Sequence, residues 1–149
     1  MTIPYCHVVT NWMGQTQIKL LGTYQIPRIA TNFAATMQSV PGSQIAANYT
    51  ALNAQVQPSL GRPLSAGAAN VTVNLIPPGT LYSDRVNELD LRLTKPFTIG
   101  RLRLAANADM YNALNASTVL QFNAAYAAWL TPQRIMDGRL YKLSVQLTF

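Results

Sequence analysis

The stretch that decides the fold is Tyr141-Lys142-Leu143-Ser144-Val145-Gln146-Leu147-Thr148-Phe149. Its odd-numbered residues are all apolar or aromatic, and the residues between them are all polar. Because successive side chains of a β-strand point to opposite faces, the segment predicts a strand with one apolar and one polar face. Such a strand fits the wall of a transmembrane β-barrel, which has lipid outside and a polar lumen inside. A soluble amphipathic strand is the alternative that this segment alone leaves open.

The composition is unusually poor in charge. Of the 149 residues 49% are hydrophobic and only 11% are charged, whereas about a quarter of the residues of an ordinary domain are charged. No apolar run approaches the roughly 18 residues of a membrane helix. The formal net charge is +6, but the basic residues are scattered and form no cluster with aromatic residues, so nucleic-acid binding is not predicted.

Alternation of the same kind recurs along the chain. It predicts strands at about residues 16–26, 29–39, 86–95, 101–112 and 139–149. The first two strands are joined by a short turn at Pro27-Arg28, and the next two by a compact turn at residues 96–100. Residues 40–85 and 113–138 are too long for ordinary connections, although residues 71–75 alternate and indicate one further short strand.

Connections that are alternately long and short favour a membrane barrel over a soluble β-sandwich. Membrane barrels have short periplasmic turns and longer extracellular loops, and each tilted strand needs about 10 residues. The predicted fold is therefore all-β: an antiparallel meander of about five transmembrane strands with long extracellular loops. The apolar strand faces, for example Leu91 and Leu104, are predicted to contact lipid.

Six charged residues on the polar strand faces are predicted to face the lumen: Glu88, Asp90, Arg92, Arg103, Asp109 and Lys142. Paired carboxylates can perform glycosidase-like chemistry. Here Arg92 is on the same face as Glu88 and Asp90, so the pattern favours a salt-bridge ladder along one strand.

The charges also predict a register for the last two strands. If Arg103 lies opposite Thr148, antiparallel pairing places Asp109 opposite Lys142. These two side chains are then cross-strand neighbours on the lumenal face.

No catalytic, cofactor-binding or metal-ligating residue is predicted, and the chain is not predicted to be an enzyme. Cys6 and His7 are adjacent, and adjacent side chains of an extended segment point apart, so they make no dyad. Cys6 has no second cysteine to pair with, and the glycine spacing fits no phosphate-binding pattern. Four aromatic residues of the long segments are expected to anchor or pack the loops rather than to bind a ligand: Tyr82, Phe122, Tyr126 and Trp129.

Several segments of the second half resemble one family. Asn87-Glu88-Leu89-Asp90-Leu91-Arg92-Leu93-Thr94-Lys95 resembles the LDLRLSK strand of TonB-dependent outer-membrane receptors. Asp109-Met110-Tyr111-Asn112-Ala113-Leu114-Asn115 resembles their D-hydrophobic-aromatic-N-x-x-N segment. Residues 130–135 and 139–143 are similar to the approach to their last strand, and Phe149 is similar to their terminal aromatic residue.

The resemblance narrows further and carries structural implications. The Gly/Asn-rich loop with Pro41-Gly42 is similar to that of Oar-like receptors, which have a carboxypeptidase-regulatory-like N-terminal domain. Membership implies a barrel of about 22 strands with a plug in its lumen. Residues 1–149 are then expected to be a single partial domain, the C-terminal fragment of such a receptor, located in the outer membrane of a Gram-negative cell.

The fragment interpretation determines the expected partners. Outer-membrane lipid and the outer-membrane assembly machinery would contact the chain itself. The TonB-type energy-coupling protein would contact only N-terminal parts that the chain is expected to lack, together with the export signal and the plug. Complete transport activity is therefore not expected of the chain alone.

Residues of the last strand are predicted to act together as the signal that the assembly machinery reads: Tyr141, Leu143, Val145, Leu147 and Phe149. Two other functions stay open on the sequence. One is a small structural or adhesive outer-membrane protein that closes its barrel by oligomerising. The other is a soluble β-sandwich binding module.

Overall fold

The computed structural model describes residues 7–100 and 102–148. The chain is mostly β, with 52% strand and 12% helix, and its sheets are antiparallel, which confirms the all-β prediction. Within the described residues the elements are β1 (Ile18–Ile26), β2 (Thr31–Val40), β3 (Asn48–Leu52), α1 (Asn53–Leu60), β4 (Asn70–Asn74), β5 (Val86–Ile99), β6 (Leu102–Tyr111), β7 (Val119–Phe122), β8 (Pro132–Ile135) and β9 (Leu140–Thr148). Short 3₁₀ turns are at Trp12–Gly14, Ser65–Gly67 and Tyr126–Ala128.

The chain divides into two compact units. The sheet unit consists of Thr16–Pro41, Arg85–Thr118 and the residues from Ile135 onward. The loop unit consists of the described residues up to Gln15 together with Gly42–Asp84 and Val119–Arg134.

The sheet unit is built on one five-stranded sheet in the order β1-β2-β5-β6-β9, an antiparallel meander in which each strand pairs with the next along the chain. Each of the five predicted strands corresponds to one of these strands, and the largest difference in bounds is at the end of β5. Arg103 lies opposite Thr148 and Asp109 lies opposite Lys142, so the predicted register of β6 and β9 is confirmed. Arg101, which the fourth predicted strand includes, lies outside the described residues.

The predicted turn at residues 96–100 is wrong, because β5 continues through Pro96 to Ile99. β2 pairs with β5 only as far as Thr94, so beyond that residue β5 has one neighbour, β6. A proline without an N–H is tolerated where one side of a strand makes no ladder bonds. The true connection is the two residues between Ile99 and Leu102, and Gly100 has the positive φ of +62° that tight hairpin turns require.

The loop unit contains elements that the sequence pattern missed. β3 and β4 pair in antiparallel fashion, and β7 pairs with β8. β4 corresponds to the short strand that residues 71–75 predicted. Helix α1 ends at Leu60 and is capped by Gly61, whose φ of +71° is the left-handed conformation that commonly terminates helices.

Few apolar side chains of the described residues are buried in either unit. Among the described residues, the buried apolar side chains are Ala47 and Ala51, both in the loop unit. In the sheet unit, Leu143 is 83% exposed and Val145 is 71% exposed. No helix in the described part of the chain is long and apolar enough to span a membrane.

Candidate functional site

The registers assign every residue of the five-stranded sheet to one of two faces, because directly opposed residues lie on the same side. What we call the apolar face consists of the even-numbered residues of β1 and β6 and the odd-numbered residues of β2, β5 and β9. The remaining strand residues form the polar face. Leucine, isoleucine, valine, methionine, alanine and aromatic residues dominate the apolar face across all five strands.

The few polar residues of the apolar face lie toward the two ends of the strands. At the end where the chain leaves for residues 42–84, here called the loop end, Ser39 donates a hydrogen bond of 2.6 Å to Asn87. At the opposite end, here called the turn end, the Thr31 hydroxyl and the Lys95 ammonium both donate to the Ile29 carbonyl. The middle of the face is therefore a continuous apolar band.

The polar face carries all six charged residues that the sequence assigned to the lumen. Glu88, Asp90 and Arg92 lie on β5, and Arg103, Asp109 and Lys142 lie on β6 and β9. The structure thus places them on one side of one sheet.

The central feature of the polar face is a row of three charges across three strands. Arg92 donates to both carboxylate oxygens of Asp109, with an Nε–Oδ1 distance of 2.5 Å and an Nη2–Oδ2 distance of 3.1 Å. Asp109 is only 4% exposed, and Lys142 lies opposite it on the other side. The carboxylate is thus flanked by two cations, and the bidentate geometry fixes the Arg92 side chain.

The predicted salt-bridge ladder along β5 is wrong. Glu88 accepts a hydrogen bond from the Gln38 side chain, and Asp90 accepts one of 2.9 Å from the backbone N–H of Asn112. Residues two apart on a strand are about 6.6 Å apart, whereas directly opposed residues are about 5 Å apart. Arg92 therefore pairs across the sheet with Asp109 instead of along its own strand.

Two asparagines at the loop end were not identified as structural residues from the sequence. Asn112 and Asn115 have positive φ values of +48° and +52°, a conformation that asparagine tolerates better than most residues. The Asn112 amide donates to the carbonyls of Ala116 at 2.9 Å and Asp137 at 2.8 Å, and its Oδ1 accepts the Ala116 N–H at 2.9 Å. The D-hydrophobic-aromatic-N-x-x-N pattern contains the signal for this turn.

Arg85 joins the first strands of the sheet at the same end. Its guanidinium donates to the Thr16 carbonyl at 2.8 Å, to the Ser39 carbonyl at 3.0 Å and to the Ser39 hydroxyl at 3.2 Å. The sequence shows Arg85 only as one of several scattered basic residues, so no local signal identifies this role.

The aromatic residues of the loop unit pack against neighbouring segments of that unit. The rings of Tyr49 and Tyr126 meet edge to face, with centroids 5.6 Å apart, and the Trp129 indole donates to the Ala46 carbonyl at 3.1 Å. These contacts agree with the expected packing role. Cys6 and Phe149, which the sequence singled out, lie outside the described residues.

Neither a metal-binding group nor a similar known protein helps to identify a functional site. Within residues 7–100 and 102–148, no group of three His, Cys, Asp or Glu side chains is arranged to hold a metal ion. Comparison with family models, curated proteins and solved structures finds no significant match. The two faces of the five-stranded sheet are therefore the features from which a function is argued.

Proposed function

We propose that the five-stranded sheet spans the outer membrane of a Gram-negative cell as part of the wall of a larger β-barrel of the TonB-dependent receptor type. The apolar face contacts lipid, and the polar face lines the lumen. The observation that carries the proposal is the apolar face, on which Lys95 is the one charged residue among the described strand residues. An apolar surface of this extent is rare on a soluble monomer, whereas lipid solvates it.

The strand lengths support a membrane-spanning position. β1 and β9 each have nine residues. At about 3.3 Å per residue and a tilt of about 40°, such a strand spans roughly 23 Å along the membrane normal. Outer-membrane barrels have an apolar band of about 25 Å. The polar exceptions Ser39 and Asn87 fit the loop-end boundary of that band.

The polar face suits a lumen. Barrel interiors are polar, and charges there are stabilised by water and by partners on the wall. The bidentate pair of Arg92 and Asp109, with Lys142 beside it, provides such partners within the wall itself.

The directions of the edge strands bear on how the sheet is completed. β1 and β9 are the two edges, and both run from the loop end to the turn end. If copies of this sheet lay side by side in the same orientation, β9 of one copy would be parallel to β1 of the next. If one copy closed on itself, its own β9 and β1 would also be parallel. Bacterial barrels are antiparallel with an even number of strands. An odd number of additional strands satisfies this rule, which favours a longer barrel over closure by oligomerisation.

The proposed contribution of the chain is barrel wall and extracellular loops. Transport belongs to the whole receptor, whose plug and energy coupling involve other segments. Lipid and the outer-membrane assembly machinery are the partners that these strands would contact directly.

Spin-label accessibility along β9 tests the proposal. Nitroxides are attached to single cysteines at Leu143, Ser144, Val145 and Gln146, in a Cys6→Ser background, with the protein in membranes. Positions 143 and 145 should be accessible to apolar oxygen, and positions 144 and 146 to a water-soluble nickel chelate. Low accessibility to both reagents at 143 and 145 would indicate the core of a soluble β-sandwich and would overturn the proposal.

The assembly role of β9 has its own test. β9 is an edge strand whose alternate side chains Tyr141, Leu143, Val145 and Leu147 are exposed, so it can add to the sheet of an assembly factor. Deletion of Phe149 from the full-length receptor should sharply reduce assembly in cells and barely change stability after refolding in vitro. Equal assembly of the wild-type and deleted proteins in cells would contradict the signal hypothesis.

A further inference from the structure

We infer that the apolar face contains a binding site for one anionic phospholipid from the leaflet at the turn end of the sheet. This inference rests on the proposed function, because it requires the apolar face to contact lipid. The inference adds that one location on the apolar face prefers a negatively charged lipid. General contact between an apolar band and lipid requires no such preference.

The site is an open depression of about 580 Å³ on the apolar face. Its floor is formed by Ala106 and Ala108 of β6, which are flanked by longer side chains on the neighbouring strands. Leu93 and Leu143 lie on either side of Ala108, and Val145 lies beside Ala106. A depression of this volume is within the range of small-ligand sites, and its apolar walls match an acyl chain.

Lys95 gives the depression a charged end. It lies opposite Ala106, lines the depression, and is the one charged residue among the described strand residues of the apolar face. Its ammonium donates to the Ile29 carbonyl in the connection between β1 and β2, so the side chain reaches toward the turn end. An ammonium has three donors, and a lipid phosphate can accept from those that Ile29 leaves.

The distribution of acidic residues reinforces the preference for an anion. All five Asp and Glu residues belong to the loop-end half of the sheet or to the segments that adjoin it: Asp84, Glu88, Asp90, Asp109 and Asp137. Basic residues occur at both ends, but those at the turn end, among them Arg28 in the β1–β2 connection and Arg103 at the start of β6, have no Asp or Glu beside them among the described residues. No carboxylate of the described residues forms an ion pair with Lys95. The local field at the turn end therefore attracts a negatively charged headgroup.

The competing explanation is that Lys95 merely extends to the membrane boundary, as long basic side chains do. That explanation requires no depression beside the lysine and no preference among lipid headgroups. The two explanations therefore differ in a measurable lipid selectivity at one location.

Photo-crosslinking locates the lipid. The protein is extracted from expressing cells and reconstituted into phosphatidylcholine vesicles. The vesicles contain a trace of either phosphatidylglycerol or phosphatidylcholine that carries a diazirine on one acyl chain. Cross-links are mapped by mass spectrometry. We expect the yield on residues 104–108 to be about fivefold higher with phosphatidylglycerol, as one lysine near an anionic surface predicts.

Three variants separate the contributions. Lys95→Gln should reduce the yield ratio to about one, and Lys95→Arg should retain most of it. Lys19→Gln removes the same charge from the polar face and should leave the ratio unchanged. Ala106→Leu fills the depression and should lower the phosphatidylglycerol yield although Lys95 is intact.

The outcomes distinguish this inference from the proposed function. Equal yields with the two lipids at residues 104–108, together with cross-links along the apolar face, would overturn the lipid site and leave the membrane-spanning sheet standing. A ratio that Lys95→Gln does not change would also overturn the site. The absence of cross-links from either lipid to the apolar face of the reconstituted protein would overturn both.

Discussion

The sheet unit and the loop unit differ in how regularly their apolar residues are arranged along the chain. In the sheet unit, five long strands alternate, and one face is mostly apolar and at least partly exposed. In the loop unit, the sequence is irregular, but it contains the buried apolar residues of the described chain, Ala47 and Ala51. Strict alternation therefore does not guarantee a core. Alternation predicts one apolar and one polar face. Whether the sheet is stable then depends on what contacts each face: water, lipid or other protein segments.

The two units also differ in how their backbones are satisfied. The sheet unit uses continuous ladders between strands that follow each other along the chain. The loop unit has only the short ladders β3–β4 and β7–β8, and it joins other segments by isolated hydrogen bonds, such as Asn48 N–H to the Ala124 carbonyl at 2.7 Å and Leu75 N–H to the Ala47 carbonyl at 2.7 Å. Substitutions on the apolar face should act through solvation, those at the loop end of the sheet through hydrogen bonds, and those in the loop unit through steric fit.

The largest expected effect is on the apolar face. Leu91→Arg should lower the free energy of unfolding from lipid vesicles by about 2–4 kcal/mol if Leu91 is near the bilayer midplane. The control is Thr36→Arg, which adds the same side chain to the polar face opposite Asp90 and should cost little. Equal losses for the two variants would remove the distinction between the faces.

A second expected effect is at the loop end of the sheet, where order comes from hydrogen bonds. Asn112→Ala removes three side-chain hydrogen bonds at a residue that is 3% exposed and has positive φ. The free energy of unfolding should fall by about 2–3 kcal/mol. Asn112→Gly relieves the backbone strain and should lose less than the alanine variant. Denaturant unfolding measures the free energy of unfolding of both variants. A larger loss for Asn112→Gly than for Asn112→Ala would contradict the idea that the positive φ of residue 112 strains an alanine there.

Steric fit in the loop unit is tested at Gly42. A Cβ there would meet the backbone carbonyls of Ser83 and Asp84 and the Ser83 hydroxyl. Gly42→Ala should destabilise the loop unit by about 1–3 kcal/mol, because the backbone must shift. Hydrogen exchange should accelerate at the N–H groups of Ile45 and Ser83, which donate to Leu81 and Ser43. Unchanged exchange at these amides would argue against a tight fit.

The smallest expected effect is that of Gly22→Ala, the same substitution as Gly42→Ala but made in the sheet. No atom lies within 4 Å of a Cβ built on Gly22, and its φ is not in the left-handed region. Gly22→Ala should therefore raise the free energy of unfolding by about 0.4–1 kcal/mol, because it restricts the unfolded chain. Urea unfolding measures both glycine variants. The free energy of unfolding should rise for Gly22→Ala and fall for Gly42→Ala if the comparison of the units is correct.

The sequence predicted the sheet unit well because period-two alternation is visible without knowledge of packing. The charges on the polar faces, together with the assumption that Arg103 lies opposite Thr148, predicted the register that places Asp109 opposite Lys142. Alternation did not predict that Arg92 pairs with Asp109, because it identifies the face of a residue but not its partner on the next strand.

The errors have local physical causes. Pro96 was interpreted as part of a turn, but β5 has only one neighbour at that point and a proline costs no ladder bond there. In the loop unit, β7 and β8 have four residues each, too few to show a period. The backbone bonds of that unit join segments far apart in sequence, such as Asn48 and Ala124, and composition contains no signal for such pairings.

The parallel directions of β1 and β9 limit how a barrel wall of this kind can grow by gene duplication. In the proposed membrane-spanning barrel, a tandem repeat of the segment would have to connect the turn-end terminus of one β9 to the loop-end start of the next β1, across the thickness of the membrane. At about 3.3 Å per residue, the shortest such linker has roughly nine residues and must satisfy its own backbone groups in lipid. That linker is itself a strand. Duplication of an odd-stranded segment therefore requires a new strand, whereas a hairpin can be copied with only a loop.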